Sequence, residues 1–241
     1  MLAIVLALAL HGTPAEPAAG GYLYRATLLQ AAPGRLLDVV AMVQAGWPAV
    51  AAAGDEPPIA MRHSQGDRWD LLVLFPMGSW GDYDAPDRSA RRAKARAAAS
   101  ADLARLADAT AWTEDVYVWG PPLPAVRAAL GNAGFFHIEM FEALPGKRAA
   151  LVKQREMEND YSRRLNLPEN LIFVRDAGAA WDIFTVGGYR DLKQYAEDAD
   201  VPPARAEEAA RAAGFDGTKG IGPYLRTLIA LHHDTLAVAV R

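Results

Sequence analysis

Two copies of one strand–turn–helix opening are the feature that most restricts what this chain can fold into. Leu23–Leu29 is a β-compatible run followed by Pro33-Gly34, and Phe135–Phe141 is a similar run followed by Pro145-Gly146. In both places the Pro-Gly pair ends a predicted strand, and the residues after it form a predicted helix. The two prolines are 112 residues apart (145 − 33 = 112). The sequence therefore predicts a structural unit that occurs twice.

A second dipeptide supports the same internal repeat. Trp69-Asp70 and Trp181-Asp182 are also 112 residues apart (181 − 69 = 112), and they occupy the same place in the predicted order of elements. Residues common to both copies serve a shared fold more often than a single active site. We therefore assign the tryptophans to packing and the aspartates to cross-strand pairing with Arg62 and Arg175.

Each half is predicted to contain a strand, a helix, two strands, a helix and a strand. The first half has strands at 22–30, 59–63, 69–75 and 113–119 and helices at 35–47 and 88–109; the second has strands at 135–142, 171–176, 181–186 and 235–240 and helical segments at 147–165, 189–197, 204–213 and 224–233. This βαββαβ order is the ferredoxin-like motif, whose sheet has helices on one face and needs cover on the other. We predict an α+β fold in which two ferredoxin-like repeats, residues 20–124 and 125–241, pack their antiparallel sheets face to face.

With these repeated openings and Trp-Asp strands, the chain resembles a tandem-repeat, NIPSNAP-like member of the dimeric α/β-barrel superfamily over about residues 22–241. That superfamily includes antibiotic-biosynthesis-type monooxygenases, haem-degrading monooxygenases, chlorite dismutases and dye-decolourising peroxidases. The resemblance implies a fused dimeric α/β barrel that binds a small molecule. The resemblance is compatible with cofactor-independent monooxygenase-like chemistry and with a haem bound by a histidine, and fold alone does not decide between them.

Composition excludes several kinds of site. The 241 residues include no cysteine, so disulfides, thiolate nucleophiles and zinc–thiolate centres are ruled out. The formal net charge of −4 gives no global electrostatic case for nucleic acid. The basic run from Arg88 to Arg96 has no interleaved aromatic residues and is predicted to be a solvated helix face.

The first residues suggest export. Met1–Leu10 is an apolar run too short to span a bilayer but suited to the core of a signal peptide, and small residues follow up to Ala19. No lysine or arginine precedes the run, and a buried N-terminal strand or helix is the alternative. We expect residues 1–19 to be a leader, the mature protein to be periplasmic or secreted, and no stable membrane insertion once the leader is removed.

Side-chain alternation along the second opening strand separates two faces. Phe136, Ile138 and Met140 share one face, while His137 and Glu139 share the other with two phenylalanines. The uniformly apolar face suits a helix layer. The mixed face is therefore predicted to point between the two sheets.

The first copy carries Arg25 and Thr27 at the positions of His137 and Glu139. Burying polar groups without partners is costly, so these four either pair with one another, as in an Arg25–Glu139 contact, or face a ligand. Both alternatives stay open. On the second, His137 and Glu139 are the candidate catalytic residues, and Arg25 and Thr27 are candidate ligand-binding residues.

His232-His233-Asp234 lies between the last predicted helix and the last predicted strand. Adjacent histidines in a strand would point in opposite directions, so no metal site is predicted there. At a helix end the two rings could bind the final carbonyl oxygens, with Asp234 orienting one ring. A ligand-binding role for all three residues is the alternative.

These observations lead to one functional hypothesis and two alternatives. The hypothesis is a small-molecule-binding barrel, with His137 as a proton-transfer residue in an inter-sheet cavity and no cofactor. The first alternative is a haem enzyme with His137 as the iron ligand. The second is a non-enzymatic interaction module whose barrel is filled by side chains. Whether the protein is an enzyme, and whether it pairs into a homodimer, stay open.

Overall fold

A computed structural model describes residues 21–240, so the predicted leader lies outside the described residues. Eight strands form one closed antiparallel barrel in the order β1-β3-β2-β8-β5-β7-β6-β4. The strands are β1 (Tyr22–Ala31), β2 (Ile59–Gln65), β3 (Leu71–Gly78), β4 (Thr110–Gly120), β5 (Phe135–Ala143), β6 (Leu171–Gly178), β7 (Ile183–Tyr189) and β8 (Ile229–Ala239). The α+β class and the ferredoxin-like strand order are as predicted.

Helices cover the outside of the barrel. They are α1 (Leu36–Ala45), α2 (Trp47–Ala52), α3 (Trp80–Tyr83), α4 (Pro86–Ala98), α5 (Ser100–Ala109), α6 (Leu123–Leu130), α7 (Arg148–Arg164), α8 (Leu192–Tyr195), α9 (Pro203–Ala212) and α10 (Thr218–Arg226), with a 3₁₀ turn at Ala196–Asp200. The helix predicted over 88–109 is divided at Ala99, whose φ and ψ of −92° and 11° end α4. Within residues 21–240, no helix has the length and apolarity needed to cross a membrane.

The barrel closes because each four-stranded half pairs with the other along both edges. β2 pairs with β8, with Met61 opposite Ala239, and β4 pairs with β6, with Val118 opposite Arg175. The sheets are therefore joined by hydrogen bonds as well as facing each other, which leaves no free strand edge in the barrel.

The space inside the barrel is a packed apolar core. All eight strands contribute to it, through Tyr24, Ala26, Leu28, Met61, Leu72, Leu74, Val116, Val118, Phe136, Ile138, Met140, Phe173, Phe184, Val186 and Ala237. The prediction that His137 and Glu139 point between the sheets is therefore wrong, because the apolar face of β5 lies inside and their face lies under the helices. The interior of a small closed barrel is filled by side chains and shielded from water, which favours apolar residues there.

The repeated dipeptides serve the fold, as predicted. Trp69 is buried in the barrel core. Asp70 accepts a hydrogen bond from the backbone N–H of Ala31 at 2.8 Å, and Asp182 accepts the equivalent bond from Ala143 at 2.9 Å. Each aspartate thus satisfies a backbone donor where an opening strand ends. The predicted Arg175–Asp182 pair also forms, at 2.6 Å. The predicted Arg62–Asp70 pair does not form among residues 21–240, where Asp70 binds the Ala31 N–H instead.

Candidate functional site

A cavity of about 1030 Å³ lies between the first-half sheet and helices α1, α2, α4 and α5. Its helical wall is built largely from alanine, including Ala93, Ala95 and Ala99. Alanine side chains are too short to reach the sheet, so space remains between the helices and the sheet. Trp47 and Phe75 contribute aromatic surface.

Arg25, Thr27 and Asp115 are polar residues on the sheet side of the cavity wall. Asp115 lies directly opposite Thr27 in the β1–β4 register, and the Thr27 hydroxyl donates a hydrogen bond of 2.5 Å to Asp115 Oδ1. Arg25 Nε lies 4.0 Å from the same oxygen, too far for a hydrogen bond, and the guanidinium lies over the Phe75 ring at 4.5 Å. Arg25 Nε is buried and has no hydrogen-bond partner among the described residues.

The opposite wall supplies a second donor and an ion pair. Trp47 Nε1 is buried and likewise has no partner among residues 21–240. Asp55 lines the cavity and pairs with Arg88 at 2.7 Å and Arg92 at 3.7 Å. The basic run of α4 is therefore only partly a solvated face, since these two arginines connect the helix to the loop between α2 and β2.

At the equivalent place in the second half, side chains fill the space between sheet and helix. Arg155 extends from α7 and is 2% exposed. Its Nη1 lies 3.1 Å from both carboxylate oxygens of Glu139, and its Nη2 donates to Glu158 at 2.5 Å. Thr185 donates a further hydrogen bond of 2.9 Å to Glu139. Glu139 thus belongs to a buried ion-pair network, with partners different from the Arg25 contact considered in the sequence.

Two histidines and Asp234 extend this network. His137 Nε2 lies 3.1 Å from Asp234 Oδ1, and His232 Nε2 lies 3.3 Å from the same oxygen and 3.6 Å from Glu139 Oε1. The His232 ring stacks on Phe141 with centroids 4.7 Å apart. The structure therefore brings four predicted site residues together, and it places Arg25 and Thr27 at a different site.

The network sets the protonation of its members. Burial alone would raise the pKa of Glu139, but the contacts with His232, Arg155, His137 and Thr185 lower it to about 2. Burial would lower the pKa of His232, but the carboxylates of Asp234 and Glu139 raise it to about 9. Both effects favour the charged forms, so His232 is a cation held between two anions.

His232, His233 and Asp234 lie within β8 and not at a helix end, so the predicted capping of helix carbonyls is wrong. The preceding helix, α10, ends at Arg226, before the strand begins at Ile229. As expected for neighbours in a strand, the two histidines diverge. His233 Nδ1 lies 2.8 Å from Asp67, and its ring contacts Trp181.

Sequence reasoning missed Arg155 and Asp115. Arg155 lies four residues after the buried Leu151 in α7, so a charged residue on the inward stripe of that helix was the available signal. Asp115 shares a strand face with Thr113, and its partner Thr27 was already a candidate. Neither residue repeats at the 112-residue offset, so the internal repeat gives no sign of either.

A histidine-ligated haem does not fit the described residues. No histidine lines the large cavity, and the Nε2 atoms of His137 and His232 are directed at carboxylates. The donor set around these rings therefore favours a proton or a small cation over an iron porphyrin.

No family model matches the sequence, and no curated protein matches it. Several solved structures match the fold. An anthrone oxidase-like protein has a TM-score of 0.58 at 12% identity, covering 92% of each chain. A proposed monooxygenase from Lactobacillus acidophilus NCFM has a TM-score of 0.53 at 6% identity, covering 92% of this chain and 95% of its own. Another from Fusobacterium nucleatum has a TM-score of 0.52 at 8% identity, covering 93% and 94%. This chain has the ferredoxin-like dimeric α/β-barrel fold.

Proposed function

We propose that the protein binds a small organic molecule in the cavity between the first-half sheet and helices α1, α2, α4 and α5. The observation that supports this most strongly is the pair of buried donors, Arg25 Nε and Trp47 Nε1, that lack partners among the described residues at the wall of a cavity of about 1030 Å³. Buried donors without acceptors are costly, and a ligand oxygen would satisfy them.

The wall chemistry limits the class of ligand. Apolar and aromatic surface with a few convergent polar groups is typical of sites for organic molecules. Arg25 favours a carboxylate, phenolate or carbonyl oxygen, and Asp115 beside it accepts a hydrogen bond from a ligand hydroxyl. We therefore expect a ligand with an aromatic or aliphatic body and an oxygen-rich polar end.

Binding of the anionic aromatic probe 8-anilinonaphthalene-1-sulfonate tests this proposal. We expect native protein to bind the probe, Ala95→Trp to abolish binding by filling the cavity, and Arg25→Leu to weaken it at least tenfold. Ala97→Trp is the matched control, because Ala97 lies on the same helix and is outside the cavity wall. Equal affinity in Ala95→Trp and Ala97→Trp, with both variants folded by circular dichroism, would contradict the proposal.

A second candidate is an oxygenase reaction in the same cavity, in place of the predicted inter-sheet location. Asp115 is positioned to accept a proton from a substrate carbon while Arg25 stabilises the resulting oxyanion. Oxidation of a substrate CH₂ to C=O by one O₂, with release of one water, balances without another reductant. The test is O₂ consumption with anthrone, where Asp115→Asn should remove activity. No consumption above the rate without protein would refute this candidate.

We also propose that the chain arose by tandem duplication and is exported. The 112-residue offset and the equivalent Asp70–Ala31 and Asp182–Ala143 bonds support the duplication. Halves that fail to superimpose at that offset in an experimental structure would contradict it. Protein from the native host should begin near residue 20, and a mature chain that starts at Met1 would exclude export.

A further inference from the structure

The second half brings three metal-ligand types to one point. One ligand atom each from His137, Glu139 and Asp234 lies within 4.8 Å of the others. The His137 Nε2–Asp234 Oδ1 distance is 3.1 Å. Bonds of about 2.1 Å to one ion place neighbouring ligand atoms about 3.0 Å apart in an octahedron and about 3.4 Å apart in a tetrahedron. Two of the three atoms already have this spacing, and the Glu139 ligand atom lies within 4.8 Å of both.

Neighbouring residues hold these ligands as the outer partners of a metal site do. Thr185, Arg155 and Asn170 approach Glu139 Oε2 at 2.9, 3.1 and 3.5 Å, which restricts the carboxylate. Oε1 lies 3.1 Å from Arg155 Nη1 and 3.6 Å from His232 Nε2. Asp234 is on the accessible side, with 58% of its side chain exposed, so an ion can reach the cluster from solvent.

A second histidine of the network, His232, lies beside two of the three ligands. In the structure the His232 ring contacts both Glu139 and Asp234, and it is close enough to become a fourth ligand after a small shift.

The first half shows that the fold itself does not require these residues. By strand register, Thr27 is opposite Asp115 as Glu139 is opposite Asp234, and Leu29 is opposite Thr113 as Phe141 is opposite His232. Only the aspartate is common to both halves. The second half has histidine or glutamate at the three other positions, where the first half has Arg25, Thr27 and Thr113.

We propose that His137, Glu139 and Asp234 bind a divalent transition-metal ion, with Zn²⁺ as the best-matched occupant. Mixed imidazole and carboxylate ligands suit Zn²⁺ and its substitute Co²⁺ better than the hard cations Mg²⁺ and Ca²⁺. This site is separate from the first-half cavity, so it does not depend on the function proposed for that cavity.

Calorimetric titration of untagged, chelator-treated protein with Zn²⁺ and with Co²⁺ tests the site. We expect one ion per chain with a dissociation constant below about 10 μM. Loss of an outer partner typically weakens a metal site about 10- to 100-fold, so Thr185→Val should weaken binding about tenfold and His137→Gln or Asp234→Asn at least about 100-fold. Asp115→Asn and His233→Ala are matched controls at the equivalent aspartate and the neighbouring histidine, and both should bind like the native protein.

Two results would overturn the proposal. One is a dissociation constant above about 100 μM for both ions in the native protein. The other is unchanged affinity in His137→Gln and Asp234→Asn. If the variants do not fold, visible absorption of the Co²⁺-loaded native protein still tests the proposal. A spectrum identical to that of hydrated Co²⁺ would exclude protein ligands.

Discussion

Equivalent strand positions face a cavity in the first half and a helix side chain in the second. In the first half, alanines of α4 face Arg25 and Thr27 across a cavity of about 1030 Å³. In the second, Arg155 of α7 reaches the equivalent strand position and contacts Glu139 directly. Side-chain length on the covering helix decides whether the same backbone arrangement holds a cavity or an ion-pair network.

Features common to both halves belong to the barrel and its junctions. Asp115 and Asp234 lie at equivalent register positions, and Gly66 and Gly178 approach the carbonyl oxygens of Asp234 and Asp115 respectively. The halves differ at the residues around these aspartates. Both halves thus share an aspartate at this register position, and the residues around it give each half a different candidate site.

The largest expected effect is the loss of Arg155. Arg155→Met leaves Glu158 without its cation and the buried Glu139 with His232 alone, and removing one partner of a buried pair typically costs about 3–5 kcal/mol. Arg25→Met should cost less than about 1 kcal/mol, because Arg25 makes no close ion pair. Urea unfolding of the metal-free proteins measures both. Equal losses of stability in Arg155→Met and Arg25→Met would contradict the proposed difference, in which only the second half depends on a buried ion pair.

The junction glycines should have equal and intermediate effects. A Cβ atom at Gly66 would lie 2.2 Å from the Asp234 carbonyl oxygen, and one at Gly178 would lie 2.4 Å from that of Asp115, each at positive φ. Gly66→Ala and Gly178→Ala should each cost at least about 1–3 kcal/mol. Thermal unfolding compares them with Gly222→Ala, where a Cβ atom has nothing within 4 Å. A tolerated substitution at either junction would mean that this edge of the barrel is not closely packed.

Two alanines, one in each half, test whether the space beneath the covering helix is empty in the first half and packed in the second. Ala95 of α4 faces the cavity, whereas Ala150 of α7 packs against the apolar cluster that contains Leu151. Ala95→Leu should be neutral or stabilise the protein by up to about 1 kcal/mol, because it fills space. Ala150→Leu should destabilise it by about 1–3 kcal/mol through overpacking. Denaturant midpoints distinguish the two, and a reversed order would contradict the comparison.

Much of this fold could be predicted from sequence, because the signals are local. The Pro-Gly openings mark the strand-to-helix turns, where Gly34 and Gly146 have φ of 78° and 73°, and alternation correctly grouped His137 with Glu139. The direction of each face could not be predicted in this way. Both faces of these strands are buried, one inside the barrel and one under helices, and alternation does not distinguish them.

The candidate sites were less predictable because they depend on contacts between distant elements. His137 and Asp234 are 97 residues apart and meet only through the β5–β8 pairing. The cavity is the space that the short alanine side chains of the covering helices leave empty, and no sequence motif predicts such a space. Arg155, the ionic partner of Glu139, lies on α7. Its contact with β5 depends on how that helix packs on the sheet, which the local sequence does not specify.

The smallest expected effect is a pH dependence confined to the second half. The pKa of His232 rises from 6.5 to about 9 in the folded protein, where the ring lies between Asp234 and Glu139. A raised folded-state pKa contributes stability that is complete below pH 6.5 and is lost as the pH rises towards 9. The difference in unfolding free energy between native protein and His232→Gln, both metal-free, should therefore shrink over that interval. Thr113→Val, at the equivalent first-half position, should give a difference that does not change with pH. Parallel curves for native protein and His232→Gln from pH 6 to 9.5 would mean that His232 is not the cation of this network, and that Arg155 alone balances the carboxylates.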